Sequence, residues 1–542
     1  MSRVMRNRSL PNHVRRGIAW VAPMLLWVAP MLLFVILRFP TLTHQPGMQD
    51  EQWFAVPGLT VMREGIPRIP YLPTRRRETF FENADVCLMA LPPGLFYVQA
   101  PFFALFDPGY PTARLPLFIG GIIAIGFTQM VTQRLFCADR MMATIASVTA
   151  GTWLALSRPL LFTGLTARPD LLCIVCGWVA VLLLWKSWPN DSLRDSAAIG
   201  IFCGLGGLFH PFALVFGLQT GVATLCKCTP WPRRLAHAAV LALSTIAILA
   251  LWLPLVVSFH SEFQSQFYAN VLNRAGPGLA SRLVQPFPSI AHHARLLWEF
   301  AGPWQCGLMC FGLVAGTVSI WRRIGSAERY RGELIGLIAL AWSSVYLTAT
   351  VAGLHPTKGY WIYSFFWTIP MAVLALSDIA TGIRSRWSIN ANRDRIAYVF
   401  LCSAATVLML PQSGLRTTWL YMSRWRDPGL HAPTFIESVL EEIPQEGVFY
   451  ADLSYVFDVY LSGRHTRLCQ ERRQFWGEDE LEYAYLILSW EGDDAAWASQ
   501  YEGQFERRFG DRQIAQHCFV DLYQSREAHT SAHLSSTAGS SP

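Results

Sequence analysis

Charge is what this chain of 542 residues has least of. Only 15% of its residues are Asp, Glu, Lys or Arg, while 52% are hydrophobic; a soluble domain carries about 25% charged residues. The shortfall is concentrated in the first 412 residues, which excludes an ordinary soluble globule over that stretch. From Gly414 on, the composition is that of a globular domain. A cysteine framework is missing too. Of the twelve cysteines, several fall in apolar runs, where Cys acts as a small hydrophobe. Cys173-x-x-Cys176 lies inside such a run, and Cys226-x-Cys228 has no His or Cys partner nearby, so neither reads as a zinc or redox site. Cys469 and Cys518 in the tail are the one pair that could bridge. No A-x-A exit follows the first apolar run, so that run is an uncleaved span rather than a signal peptide. His292-His293 has no carboxylate or cysteine at ligand spacing, so no cofactor is expected; a divalent metal is not indicated, and the sequence leaves metal dependence open. The net charge of +7 comes from arginines in short clusters between apolar runs, the pattern of cytoplasmic loops and not of a nucleic-acid surface.

What is present is a series of apolar runs of about 20 residues, the length that crosses a bilayer. They lie near 18–38, 113–132, 141–161, 170–187, 196–209, 212–226, 235–257, 303–321, 333–353, 360–379 and 396–412. Cytoplasmic loops carry an excess of Lys and Arg. With about eleven spans, the clusters Arg134/Arg140, Lys186/Arg194, Lys227/Arg233/Arg234, Arg322/Arg323 and Arg384/Arg386 all fall on the side of the Arg-rich amino terminus. The amino terminus is then cytoplasmic and the tail outside. The segment 91–106 is apolar enough to span, but counting it would move every later cluster outside. It is read as a second surface-lying helix, broken by Pro92, Pro93 and Pro101. The segment 196–226 must cross twice, as two short helices hinged at His210-Pro211.

The expected fold is a polytopic α-helical membrane protein of about eleven spans with a small C-terminal α/β extracytoplasmic domain. Residues 1–413 form the transmembrane domain, with a first outer loop at 39–112. Residues 414–525 form the α/β domain, and the Ser/Thr-rich stretch 526–542 is expected to be disordered. Within the tail, 433–443 reads as helix and 447–451, 483–488 and 514–522 as strands. Ser454 is placed to cap a helix running to Leu461.

Asp50-Glu51 stands just past the first span and heads DEQWFAVPGLTVMREG, which reads as a short amphipathic surface helix. Ionisable groups at a membrane boundary are costly to place and are functional candidates by default. Under the charge-derived topology, Arg114, Arg168, Asp170, His210, His355, Lys358 and Tyr360 reach the same outer face. Cations there suit a lipid-linked phosphate whose negative charge grows as it leaves. A carboxylate suits removal of a proton from an acceptor hydroxyl. Each has a plainer role available: Arg168 and Asp170 pairing with each other, Lys358 snorkelling to the interface, Arg114 anchoring its span, Tyr360 joining an aromatic belt.

Taken in order, Asp50-Glu51 with Trp53, Phe54 and Ala55, Gly65, Pro93-Gly-Leu-Phe-Tyr97, Arg114-Leu115, Arg168-Pro-Asp170, His210-Pro211, Lys358-Gly-Tyr360 and Pro370 resemble the GT-C membrane glycosyltransferases. The similarity is to the group that holds the protein O-mannosyltransferases and the lipid A aminoarabinose transferases, and it covers most of residues 40–412. The resemblance implies a cell-envelope transferase that moves a sugar from a polyprenyl-phosphate donor, with inversion, to a glycan, lipid or protein acceptor. It implies Asp50, supported by Glu51, as the catalytic acid of the first outer loop, and Arg168 with Lys358 as contacts of the donor phosphate. The sequence departs from the group at two places: Met89-Ala-Leu-Pro-Pro93 has no Lys before its Pro, and His210 stands where a Lys marks the broken helix. The alternative is a lipid-linked sugar flippase or other multi-pass transporter. Such proteins show paired broken helices in repeated halves, and here the break at His210-Pro211 has no matching half.

Overall fold

The computed structural model describes residues 12–525, except 78, 137–138, 189, 228, 274–275, 277, 326–330, 357–358, 388–390, 478–480 and 490–493. Each expected span falls on a helix. Among the described residues, seven helices are long and apolar enough to cross a membrane, or eight if the bent pair Arg140–Leu156 and Arg158–Leu165 is one span. The remaining expected spans are short or partly polar helices: Leu193–Phe209 with 17 residues, Ala213–Leu225 with 13, and Ala391–Met409. Helices suit this setting because each satisfies its own backbone groups where water is scarce.

The elements that build the site come early in the chain. They are α1 (Asn12–His44), α2 (Glu51–Phe54), α3 (Val56–Glu64), α4 (Gly94–Leu105), α5 (Tyr110–Leu135), α6 (Arg140–Leu156), α7 (Arg158–Leu165), α8 (Asp170–Ser187), α9 (Leu193–Phe209) and α10 (Ala213–Leu225). At 12 residues, α4 is about 18 Å long, too short to cross a bilayer. The expected single helix after Asp50 is two, α2 and α3, separated at Ala55 ahead of Pro57, whose ring fixes φ and removes an N–H donor. Residues 51–61 are buried within the protein. A buried arginine ties the bundle together: Arg38 Nη1 donates to Ser413 O at 2.7 Å and Nη2 to Ala155 O at 2.9 Å.

The described residues of the segment 258–302, between the expected spans 235–257 and 303–321, are mostly helical. A π-helix spans Phe263–Asn273, and the helix Phe287–Ile324 begins well before the expected span. It kinks at Gly302, where φ is 74°, because Pro303 cannot continue the hydrogen-bond ladder. Gln266 pins the π-helix to the first outer loop. Its Nε2 donates to Glu82 O and Cys87 O, and its Oε1 accepts from Met89 N at 2.7 Å.

The tail carries a five-stranded sheet in the order β2-β1-β3-β5-β4, with β1 (Val448–Ala451), β2 (His465–Leu468), β3 (Tyr485–Leu488), β4 (Gln504–Gly510) and β5 (Phe519–Gln524). β1 lies parallel to β2 and β3, and β5 antiparallel to β3 and β4. Ser454 does not cap the helix Val456–Leu461. No side chain caps that helix; the Asp452 carboxylate instead accepts from Ser454 N at 3.0 Å and Ser489 N at 2.7 Å, tying the turn before the helix to the end of β3. Cys469 and Cys518 are buried and unpaired. The domain docks on the loop 39–112 through main-chain groups and packed rings, Trp53 on Phe475, Tyr71 on Tyr460 and Tyr110 on Phe457. Gly47 N donates to Ser454 O and Leu468 N to Tyr71 O, each at 2.9 Å. Tyr110 Oη donates to Leu453 O at 2.9 Å and Thr74 Oγ1 to Phe475 O at 2.6 Å.

Candidate active site

Asp50 ends the turn after α1 in a left-handed conformation, φ 74° and ψ −12°, which short polar residues tolerate best among L-residues. That turn sends the two adjacent acids to different partners. Glu51 is wholly buried. Its Oε1 accepts from Arg114 Nε at 2.8 Å and Ala167 N at 2.9 Å, and its Oε2 from Arg114 Nη2 at 2.5 Å and Met48 N at 2.8 Å. Arg114 is equally committed. Its remaining N–H groups go to Leu42 O, Gln45 O and Pro46 O, so all five guanidinium donors are used. The pair joins α2, α5 and the turn between α7 and α8 as a bidentate, charge-assisted staple, with no group left over for a ligand.

Asp50 is different. Its side chain is 27% exposed, and its carboxylate pairs with Arg168 Nη1. Arg168 is 5% exposed, donates from Nε to Asp170 Oδ2 at 3.0 Å, and lies over the Phe162 ring at 5.4 Å. Among the described residues its Nη2 has no hydrogen-bond partner. Asp170, the first residue of α8, is fully buried, and its Oδ1 is unpartnered. It holds Arg168 from behind.

The break between α9 and α10 brings in His210. Its Nδ1 accepts from Phe212 N at 3.2 Å, which leaves the ring proton on Nε2. Tyr360 links the cluster: its ring centroid is 5.9 Å from His210, 5.7 Å from His355 and 4.2 Å from Phe212. A Cβ on Gly359 would stand 3.7 Å from Arg168 Nε, so Gly359 lies close beside Arg168. Lys358 lies outside the described residues. Gly353, His355 and Trp361 are braced by the histidine pair that the sequence left without a role. His293 Nε2 bonds to Gly353 O at 3.0 Å, His292 Nε2 to His355 O at 3.4 Å, and Trp361 Nε1 donates to His293 O at 2.8 Å. Asp50, Arg168, Asp170, His210, His355 and Tyr360 therefore share one site. Glu51 and Arg114 stand beside it as its frame. Among the described residues no group of three or more His, Cys, Asp or Glu could hold a metal ion.

Sequence reading passed over Asp458, on the helix Val456–Leu461 of the tail domain. Phe457 packs on Tyr110 at 5.4 Å and Tyr460 on Tyr71 at 5.7 Å, which sets Asp458 against the Glu51–Arg114 pair. Burial pushes its carboxyl up to about 7, the Arg114 charge opposes that rise, and Glu51 adds to it. A lone Asp in YVFDVYL carries no sequence signal of this.

No family model matches the chain, and no curated protein matches it by sequence. Solved structures do. ArnT from Cupriavidus metallidurans, 15% identical, superposes with a TM-score of 0.53 over 94% of this chain and 98% of that one. The same enzyme bound to undecaprenyl phosphate gives 0.54 at 16% identity, with the same coverage. The Archaeoglobus fulgidus oligosaccharyltransferase gives 0.50 at 13% identity, over 88% of this chain and 71% of that one. The chain has the GT-C fold of these membrane glycosyltransferases and is a multi-pass membrane protein.

Proposed function

We propose that the protein is an integral-membrane, inverting glycosyltransferase that uses a polyprenyl-phosphate sugar and works on the extracytoplasmic face. One observation carries the reading: a partly exposed carboxylate, Asp50, stands against a buried guanidinium, Arg168, that keeps N–H groups unspent. The acceptor oxygen attacks the sugar's anomeric carbon from the face opposite the phosphate. The bond from that carbon to the phosphate oxygen breaks, its electron pair leaves with polyprenyl phosphate, and the acceptor's proton passes to Asp50. Arg168 meets the charge that builds on the leaving phosphate, where it lowers the barrier most. His210 offers its Nε2–H, and His355, Tyr360 and Lys358 complete the donor side. Asp170 holds Arg168, and Glu51 with Arg114 holds the Asp50 turn. The flippase alternative is not supported, since the fold neighbours that span the chain are transferases.

The test is direct. Full-length protein is assayed with a panel of polyprenyl-phosphate sugars and hydroxyl acceptors. Transfer by the wild type and its loss in Asp50→Asn support the reading. No transfer from any donor, or full activity in folded Asp50→Asn, overturns it.

A further inference from the structure

The helix Leu415–Ser423 joins the last helix of the bundle, Ala391–Met409, to the tail domain. It rises along the end of α1. Thr418 Oγ1 donates to Leu37 O at 2.5 Å, and further on the Trp425 ring stacks on Phe39 and meets the His44 ring at 4.0 Å. Thr418 and Tyr421 are buried against the bundle. Another face of the same helix is bare. Leu415, Trp419 and Met422, at the i, i+4, i+7 spacing of one helical stripe, are 44%, 70% and 50% exposed. Trp419 follows Thr418, so it stands level with Leu37, within the apolar span Met24–His44. Ile36 and Phe39 of α1, to either side of Leu37, are exposed as well. A bare indole at that depth of a membrane protein faces lipid and not water.

At the exit of α1 the chemistry changes. The turn 424–426 stands level with His44, whose Nε2 lies 3.4 Å from Trp425 O. Arg424 and Arg426 are exposed, and among the described residues their guanidinium groups have no carboxylate and no hydrogen-bond partner. Arg416 on the flank of the helix is exposed and unpartnered too, and its long stem lets the charge rise toward the same level. The adjoining acid, Asp427, is spent on Gly429 N at 3.0 Å and His517 at 3.5 Å. Indole and aliphatic groups at the depth of a span, with unpaired guanidinium groups at its exit, match the two layers of a leaflet, acyl chains and then phosphates.

We propose that the helix Leu415–Ser423 and the turn 424–426 form a lipid-binding surface that takes the headgroup phosphates of anionic phospholipid and pins the stem of the tail domain to the leaflet beside the site. This surface follows from the multi-pass membrane fold and is independent of the glycosyltransferase reading.

Full-length protein with the photoreactive p-benzoylphenylalanine at position 419, an exposed place that accommodates it, is set in nanodiscs of phosphatidylcholine and phosphatidylglycerol in equal parts. After irradiation the adducts are identified by mass spectrometry. Phosphatidylglycerol adducts should exceed the bulk proportion by about fivefold or more, the gain that one arginine gives near a charged surface. Arg424→Gln with Arg426→Gln should return the ratio to that of the bulk at an unchanged Tm, since both side chains are exposed and unpaired. Arg424→Lys with Arg426→Lys keeps the charge and should keep most of the enrichment. A bulk ratio with both arginines present, or an enrichment that survives the Gln pair, overturns the proposal. So do adducts to a second copy of the chain in place of lipid, and so does the absence of any lipid adduct.

Discussion

At position 50 the backbone has φ 74°, a region that Asn enters as readily as Asp. Asp50→Asn therefore keeps the turn and removes the charge. Loss of a positioned base costs about 10²–10⁴-fold in rate, and that loss is expected here. The same variant should bind polyprenyl phosphate more tightly than wild type, because Arg168 is no longer shared with a carboxylate. Equal or weaker binding would remove Arg168 from the phosphate site. Asp50→Ala adds backbone strain of about 1–2 kcal/mol and so confounds chemistry with folding. Glu51→Gln tests the frame. It strands the Arg114 charge inside the protein, which costs roughly 3–5 kcal/mol, so a lowered Tm is expected along with lost activity. A Tm unchanged from wild type would show that the Glu51–Arg114 pair does not hold the turn. The two acids were visible in the sequence as a pair, but their different roles were not. Glu51 meets partners 63 and 116 positions away, and Asp50 a partner 118 away, and nothing local encodes such distances.

Long apolar helices are legible because twenty hydrophobic residues have few other solutions in a membrane protein. Shorter elements are not. β4, QFERRFG, is an edge strand with an exposed pattern, and β2 is four residues long, so neither shows the alternation that marks a half-buried strand. The helix leg before Gly302 was hidden behind the Gly-Pro pair that kinks it. Docking of the tail includes one especially close approach. A Cβ on Gly47 would lie 2.5 Å from Leu453 O and from Tyr110 Cζ. Gly47→Val should therefore undock the domain, seen as faster limited proteolysis between the bundle and the sheet, with transfer lost. Unchanged proteolysis would show that the seam has slack. The same seam gives a pH signature. The folded pKa of Asp458, about 7, lies above the unfolded value near 3.8. The native state thus binds the proton more tightly, and the associated stability is complete below the unfolded pKa and lost as pH rises through about 7. Wild-type Tm should fall between mildly acid and mildly alkaline conditions, and Asp458→Asn should flatten that slope in a thermal-shift series.

Over the whole molecule, the charge pattern makes a claim that geometry alone does not carry: which end lies on which side. A reporter fused after Arg140 should be cytoplasmic and one fused after Gly414 extracytoplasmic. Both on one side would overturn this orientation. The tail docks through Gly47 N to Ser454 O and Leu468 N to Tyr71 O, main chain to main chain, with two side-chain hydroxyls reaching backbone carbonyls. Main-chain groups are common to every residue type. The same joint is closed by rings: Trp53 stacks on Phe475, Tyr460 meets Tyr71, and Phe457 packs against Phe103 and Tyr110. The backbone pairs set the register and the rings fill it, so substitutions are tolerated at the rim of the seam and not at these positions.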